Sequence, residues 1–174
     1  WSDFNIHMIP CKEIKIEFDH VRNLSDVFMQ MLNESEEQCS KDPPTANRRY
    51  ETCRAEIKKK IKAGDTIGWA GGYGNFGLDV ATYDSRVKNP FISPERYRFP
   101  NLQGICFLDL YSGILKDSLY DKILDPDGRK KITEPRCGSV AQDILGTVQG
   151  EWFIGNISAD QAEREGKVLS IVHF

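Results

Sequence analysis

The sequence lacks most of the short motifs that mark the large enzyme classes. It contains no G-x-S-x-G nucleophile elbow and no G-x-x-x-x-G-K-[ST] phosphate loop. It has only three histidines in 174 residues, and none of its five cysteines forms a C-x-x-C pair. These absences argue against serine hydrolases of the α/β class, P-loop nucleotide hydrolases, zinc ribbons and thioredoxin-type sites.

Long apolar runs and a strong charge of either sign are also missing. No run approaches the ~18 residues that a membrane-spanning helix requires, so we expect no transmembrane segment. The net charge of −3 argues against a nucleic-acid-binding surface. The hydrophobic fraction of 40% and the charged fraction of 28% are ordinary for a globular protein, and 174 residues suit one domain.

Hydrophobic periodicity predicts a mainly β chain with helical insertions. Residues 4–8 and 14–18 alternate between apolar and polar across a short turn, as a β-hairpin does. Ser25 fits the N-cap of a helix over residues 26–37. The remaining elements are predicted in order: a helix over 46–56, a Pro-rich connector over 89–100, helical spacing over 110–124, a strand over 147–154, a helical turn over 158–163 and a strand over 168–174.

The most informative stretch is residues 57–84, IKKKIKAGDTIGWAGGYGNFGLDVATYD. Ala63, Gly64 and Asp65 predict a tight turn, because glycine accepts positive φ and aspartate can bond its own backbone. Short β-segments flank the turn, a glycine-rich loop follows, and an apolar strand returns over residues 78–83. The glycine-rich loop opens no predicted helix, so it lacks the dipole of a phosphate-binding site.

Four elements follow one another here: a run of basic residues, the turn I-K-A-G-D-x-I-G, a glycine loop and a short strand. This order resembles the core of the lysostaphin-type (LytM-like) zinc endopeptidases. The segment IEFDHVRNLSD resembles the junction where that family keeps a catalytic histidine. The resemblance implies an antiparallel barrel-sandwich core, similar to a duplicated hybrid motif. It also places His20 where the family's histidine helps to stabilise the oxyanion of the tetrahedral intermediate. Two simpler interpretations stay open: any β-hairpin for the turn, and a strand-end histidine bonded to backbone for His20.

The metal-binding pattern of that family is not intact here. The family takes its zinc ligands from an upstream H-x-x-x-D and from the second histidine of an H-x-H strand. In this sequence Cys11 stands four residues after His7, Gly77 replaces the first histidine of H-x-H, and Asp79 replaces the ligand. A lone carboxylate holds zinc weakly. We therefore expect no zinc or other cofactor, with His20 and Asp79 as weak candidate ligands.

The resemblance leaves a polar cleft without assigned catalytic residues. Four side chains are its candidate lining: His20, Asp79, Tyr83 and Asp84. Two other chemistries stay open. Carboxylate pairs, such as Asp79 with Asp84 or Asp109 with Asp143, have the composition of a glycosidase site. A three-histidine zinc site would need His7, His20 and His173 together.

The cysteines suggest disulfides, with five reduced and buried thiols as the alternative. Cys39 and Cys53 flank a polar segment with two prolines, and an unstrained bridge there would contribute ~3 kcal/mol. Residues 106–153 resemble the tail of uncharacterised bacterial secreted or lipoprotein sequences, and Cys106 and Cys137 could pair within it. This resemblance and three N-x-[ST] triplets favour a secreted, periplasmic or cell-surface location.

These observations together predict one peptidase-like domain over residues 1–174. A helical and cysteine-loop insertion is expected at residues 25–56, and a Pro-rich connector with a helical extension at residues 89–145. The leading hypothesis is a non-catalytic, degenerate peptidase-like module that binds a cell-wall peptide or glycan, or a neighbouring domain. The alternatives are a metal-dependent peptidoglycan endopeptidase with further ligands upstream of Trp1, and a structural packing domain. No nucleic-acid partner is expected.

Overall fold

A computed structural model describes residues 3–41, 51–71 and 77–172. Within these residues the chain forms eight strands, three α-helices and three short 3-10 helices. The strands are β1 (Phe4–Cys11), β2 (Ile14–Leu24), β3 (Glu37–Lys41), β4 (Glu51–Ala55), β5 (Gly68–Ala70), β6 (Asp79–Asp84), β7 (Gly150–Phe153) and β8 (Val168–Ile171). The α-helices are α1 (Asp26–Asn33), α2 (Gly113–Tyr120) and α3 (Ala159–Arg164), and the 3-10 helices are Pro94–Arg96, Phe99–Gln103 and Phe107–Leu110.

The strands pair in small sheets, and the pairings with a described register are antiparallel. β1, β2 and β5 are neighbours in that order, and β6 also pairs with β2. The β3–β4 and β7–β8 pairs form two further, two-stranded sheets. The mainly β class predicted from the sequence is therefore confirmed. No helix in the three described ranges is long and apolar enough to cross a bilayer.

The chain divides into two compact units, and the residues of β1 and β2 are divided between them. The first unit comprises Trp1–Ile6 and Phe18–Asp79. The second unit comprises His7–Glu17 and Val80–Phe174. Each unit contains one disulfide, Cys39–Cys53 in the first and Cys106–Cys137 in the second. The prediction of disulfides is confirmed, and Cys11 is an exposed free cysteine.

In the first unit, the close approach of β5 to β2 requires a glycine. A Cβ added to Gly68 would lie 2.3 Å from the Asn23 carbonyl oxygen and 2.8 Å from Val21 Cγ1. The register of the two strands shifts between Val21 and Asn23. The N–H of Ser25 then donates to the Ile67 carbonyl at 2.9 Å, and Ser25 occupies the N-cap of α1. Helix α1 therefore begins directly where β2 is fixed against β5.

The turn predicted at residues 63–65 is confirmed. The N–H of Asp65 donates to the Lys62 carbonyl at 3.1 Å, and the N–H of Lys62 donates to Asp65 Oδ2 at 2.7 Å. Gly64 has φ of +94°, which only glycine adopts at little cost. The aspartate therefore closes the turn with its own side chain, as its position in the sequence predicts.

Helix boundaries differ from those that periodicity predicts. The helix expected over residues 26–37 ends at Asn33, and residues 37–41 form β3. The helix expected over residues 46–56 is wrong where the structure describes it, because residues 51–55 form β4; residues 46–50 lie outside the described ranges. The helical spacing at residues 110–124 corresponds to α2, which covers only Gly113–Tyr120.

Candidate functional site

In the first unit, His20 lies between two carboxylates. Its Nδ1 is 2.9 Å from Asp3 Oδ2, and its Nε2 is 3.8 Å from Asp79 Oδ2. The hydrogen bond with Asp3 raises the pKa of His20, and the charges of Asp79 and Asp19 act in the same direction. His20 has φ of 65°, in the left-handed region that non-glycine residues rarely adopt. Such backbone conformations are concentrated at functional sites.

The geometry around His20 suits an ion-paired imidazolium better than a metal centre. The two carboxylates approach opposite nitrogens of the ring, so a metal ion on either nitrogen would have only one of them beside it. A structural or catalytic zinc site needs at least three protein ligands around one point. The Asp79 side chain is also 76% exposed, which leaves its charge well hydrated. We therefore assign His20 a pH-dependent charge.

One cluster of potential metal-ligating side chains lies elsewhere in the first unit. Within the described residues, Glu37, Cys39 and Cys53 are the group of three whose ligand atoms lie within 4.8 Å of one another. Cys39 and Cys53 are bonded to each other, and a cysteine ligand must be a free thiolate. The cluster therefore offers a single carboxylate while the disulfide is intact.

Tyr83 and His7 lie together in the second unit, on one ionic network. The Tyr83 hydroxyl donates to Glu17 Oε2 at 3.3 Å, and His7 Nε2 lies 3.6 Å from Glu17 Oε1. Lys15 forms an ion pair with the same carboxylate. Partial burial opposes ionisation of Glu17, but these three partners outweigh it and lower its pKa. His173, the third histidine of the zinc hypothesis, lies outside the described residues.

Asp84 and Asp109, both in the second unit, are bound by cations. Arg86 donates to Asp84 from Nε at 2.8 Å and from Nη2 at 2.7 Å, which lowers the pKa of Asp84 to about 2. Lys116 Nζ lies 2.7 Å from Asp109 Oδ1, and Tyr120 donates to the same oxygen at 2.8 Å. The bond from Lys116, assisted by that from Tyr120, lowers the pKa of Asp109. Both carboxyl groups are therefore held ionised, and neither is suited to act as a general acid near neutral pH.

The second unit contains a cavity of about 450 Å³. Residues 80–83 of β6, including Tyr83, form part of its lining. The rings of Phe91 and Tyr97 form another part, with their centroids 4.1 Å apart. The volume lies in the range of pockets that hold small organic ligands or short peptide segments.

Two carboxylates in the cavity lining are held by neutral donors. Asp143 accepts from the N–H of Ile92 at 2.9 Å and from the N–H of Glu151 at 3.3 Å. Glu151 accepts from the Tyr97 hydroxyl at 2.6 Å and from the Ser170 hydroxyl at 3.2 Å. Burial, together with the bond to Glu151, raises the pKa of Tyr97 well above its usual value. Tyr97 therefore stays a neutral hydrogen-bond donor at physiological pH.

Thr82, also in the lining, carries a buried hydroxyl that no described residue bonds. Its residue is 3% exposed, and its Oγ1 makes no hydrogen bond within the described part of the chain. An unpaired buried hydroxyl costs about 1–3 kcal/mol in desolvation. The buried hydroxyl of Thr82 is therefore evidence, independent of the carboxylates Asp143 and Glu151, that the cavity lining is not optimised for stability.

The sequence identified part of this constellation. The sequence predicts Tyr83 and Asp143 as candidate site residues. Phe91 and Tyr97 lie in the Pro-rich connector without a site motif, and no motif marks Glu151. Residues 72–76 of the glycine-rich loop lie outside the described residues, and the next described element is β6, a strand. Comparison with protein-family models, curated proteins and solved structures found no match to this chain.

Proposed function

We propose that this protein is a non-catalytic binding module whose ligand, a peptide or a glycan, occupies the cavity of the second unit. The observation that carries the proposal is the cavity itself: about 450 Å³, lined by two aromatic rings and by the carboxylates Asp143 and Glu151. Apolar and aromatic walls with a few convergent polar groups are the usual composition of a ligand site.

The polar groups of the cavity support binding more than catalysis. Asp143 accepts hydrogen bonds from two backbone N–H groups, and Glu151 accepts from two hydroxyls. Both carboxylates therefore fix the position of the segments that line the cavity. The raised pKa of Tyr97 keeps its hydroxyl protonated, so Tyr97 is unavailable as a general base near neutral pH. A rigid wall with fixed acceptors discriminates among ligands without needing to transfer a proton.

The resemblance to LytM-like peptidases supplies the proposed ligand class and cellular context. We propose that the chain keeps a barrel-sandwich framework of that family and binds a cell-wall peptide or glycan outside the cytoplasm. The K-A-G-D turn, the FDHV segment and the loss of the family's zinc ligands support this proposal. Two disulfides support an oxidising compartment.

Binding of soluble wall fragments to three variants tests the proposal. Ser139 is exposed and lines the cavity, so Ser139→Trp fills its opening with little risk to folding. Thr133→Trp places the same ring on the same exposed stretch outside the lining. We expect stem peptides or peptide-free glycan chains to bind the wild type and Thr133→Trp alike in calorimetry, and Ser139→Trp at least about tenfold more weakly. Equal binding by all three proteins would place the ligand outside the cavity and refute the proposed site, and no binding would leave the structural packing role.

A metal-dependent hydrolase is the second candidate, because His20 and Asp79 lie close together, although the two carboxylates beside the ring suit an ion pair better. Imidazole and the Asp79 carboxylate, 3.8 Å apart, are ligand types that zinc accepts. The test is hydrolysis of pentaglycine or a stem peptide by the longest natural form of the chain, with added zinc. Zinc-dependent cleavage that is lost in His20→Ala establishes the hydrolase, and absence of stoichiometric zinc removes it.

A further inference from the structure

The outer edge of β6 carries backbone groups that can pair with another strand. On the side of β2, the N–H of Ser85, just after β6, donates to the Glu13 carbonyl at 2.9 Å. On the opposite side, the N–H of Ile105 donates to the Thr82 carbonyl at 2.9 Å. Because the backbone groups of alternate residues in a strand point to the same side, the N–H and C=O of Val80 project on the Ile105 side.

No strand in the described part of the chain covers this edge next to the cavity. The pairing described on that side is the isolated bridge between Tyr83 and Gly104. Within the described residues, no backbone hydrogen bond from the Ile105 side reaches Val80. Residues 80–83 line the cavity, so the free edge and the cavity form one surface. An open strand edge takes up an extended peptide through main-chain hydrogen bonds, and adjacent pockets then select alternate side chains.

The charge of the cavity indicates what side chain it selects. The donors to Asp143 and Glu151 are backbone N–H groups and hydroxyls, all of them neutral. Arg96, which lies nearby in the chain, donates instead to two backbone carbonyls. An ionised carboxylate offers about four lone-pair sites, so each of these two retains capacity for a further donor. The charge of Arg96 also acts on Tyr97, but the described lining contains two carboxylates and no cationic side chain, so it presents net negative charge that suits an ammonium or guanidinium group.

The aromatic part of the lining suits the stem of such a side chain. Phe91 and Tyr97 lie with their centroids 4.1 Å apart, and the Tyr97 hydroxyl contacts Glu151 at 2.6 Å. Lysine and arginine pack their methylene stems on apolar surface while their charged ends reach polar groups. A ring beside a carboxylate therefore accommodates both parts of one cationic side chain.

We propose that the cavity binds an extended basic peptide, which adds as a strand to the open edge of β6 and places a lysine or arginine against Asp143 and Glu151. This inference rests on the proposed binding function and commits it to a basic peptide instead of a glycan. The peptide pairs with Val80 and with the N–H of Thr82, and its alternate side chains enter the cavity.

Capped peptides of sequence AAKAA test the charge, with norleucine or glutamate replacing lysine in two counterparts. We expect the lysine peptide to bind at least about fivefold more tightly than the norleucine peptide, with the ratio falling as salt is added. Glu151→Gln keeps an acceptor for the Tyr97 hydroxyl but removes the charge, so it should reduce this ratio. Glu163→Gln removes an exposed charge of α3 and should leave it unchanged.

Peptides N-methylated at one position at a time test strand addition. Because every second residue of an added strand directs its N–H to the neighbouring strand, binding should weaken at alternate positions and persist at the others. Equal affinity for all three capped peptides, or a methylation series without alternation, overturns the inference. A dimer seen by sedimentation would overturn it by making a second copy the occupant of the edge.

The outcomes also separate this inference from the proposed function. If peptide-free glycan chains bind and Ser139→Trp blocks them, while no peptide binds, the cavity is a glycan site and only the inference fails. If neither peptides nor glycans bind, both fail. Both the proposed function and the inference are supported if the lysine peptide binds more tightly, Glu151→Gln reduces this preference, and methylation weakens binding at alternate positions.

Discussion

Replacing Thr82 with valine should stabilise the protein. The hydroxyl of Thr82 is buried without a partner in the described part of the chain, whereas valine has the same shape without the polar atom. Removing an unsatisfied buried hydroxyl recovers about 1–2 kcal/mol. For a chain of this length, that gain corresponds to a rise in Tm of roughly 3–6 °C. Urea denaturation of both proteins measures the difference directly.

Thr147→Val is the matched control, since it makes the same chemical change in the same unit. The Thr147 hydroxyl donates to the Ile144 carbonyl at 2.9 Å and accepts from the N–H of Gln149 at 3.1 Å. Losing these bonds at an exposed site should cost about 0.5–1 kcal/mol. The two substitutions should therefore have opposite signs. If Thr82→Val destabilises the protein as much as Thr147→Val does, the Thr82 hydroxyl has a bonding partner and the reasoning is refuted.

Three further predictions concern the framework. Replacing both Cys106 and Cys137 with serine removes a bridge that spans 31 residues and should lower the free energy of unfolding in denaturant by about 4 kcal/mol. A double variant as stable as the oxidised wild type would contradict this. Gly68→Ala places a Cβ 2.3 Å from a carbonyl oxygen and should cost about 2 kcal/mol or more. A Cβ at Gly77 would have no atom of the described residues within 4 Å, so Gly77→Ala should be nearly neutral. NMR titration of His20 should give a pKa above its usual value, and this pKa should fall in Asp3→Asn; an unchanged pKa in Asp3→Asn would contradict the hydrogen bond as its cause. Because the folded-state pKa of His20 is raised, its stabilisation of the fold is present below the unfolded-state pKa and is lost as pH rises through the folded-state pKa.

The sequence predicts best those elements that depend on local signals. Alternating residues mark β1 and the start of β2, and the apolar return over residues 78–83 marks β6 within a residue or two. The turn at residues 63–65 follows from glycine and aspartate chemistry within four residues. In each case the hydrophobic period or the turn residues act within a short window, so no distant contact is needed.

Elements fixed by distant partners are not predicted. β4 is almost fully exposed, so no alternation marks it, and its conformation depends on pairing with β3, where Cys39 stands opposite Cys53. The same limit applies to the cavity. Val80, Tyr97 and Glu151 come from three separate stretches, and no motif joins them because only the tertiary structure brings them to one surface.

Titration of isotope-labelled protein with the capped lysine peptide, followed through backbone amide NMR shifts, tests the central claim most directly. The account predicts saturable shifts at Val80, Thr82, Tyr97 and Glu151, with smaller changes in Ser139→Trp at the same peptide concentration. Saturable shifts confined to the surroundings of His20 and Asp79, with the cavity residues unmoved, would contradict the assignment of the binding site.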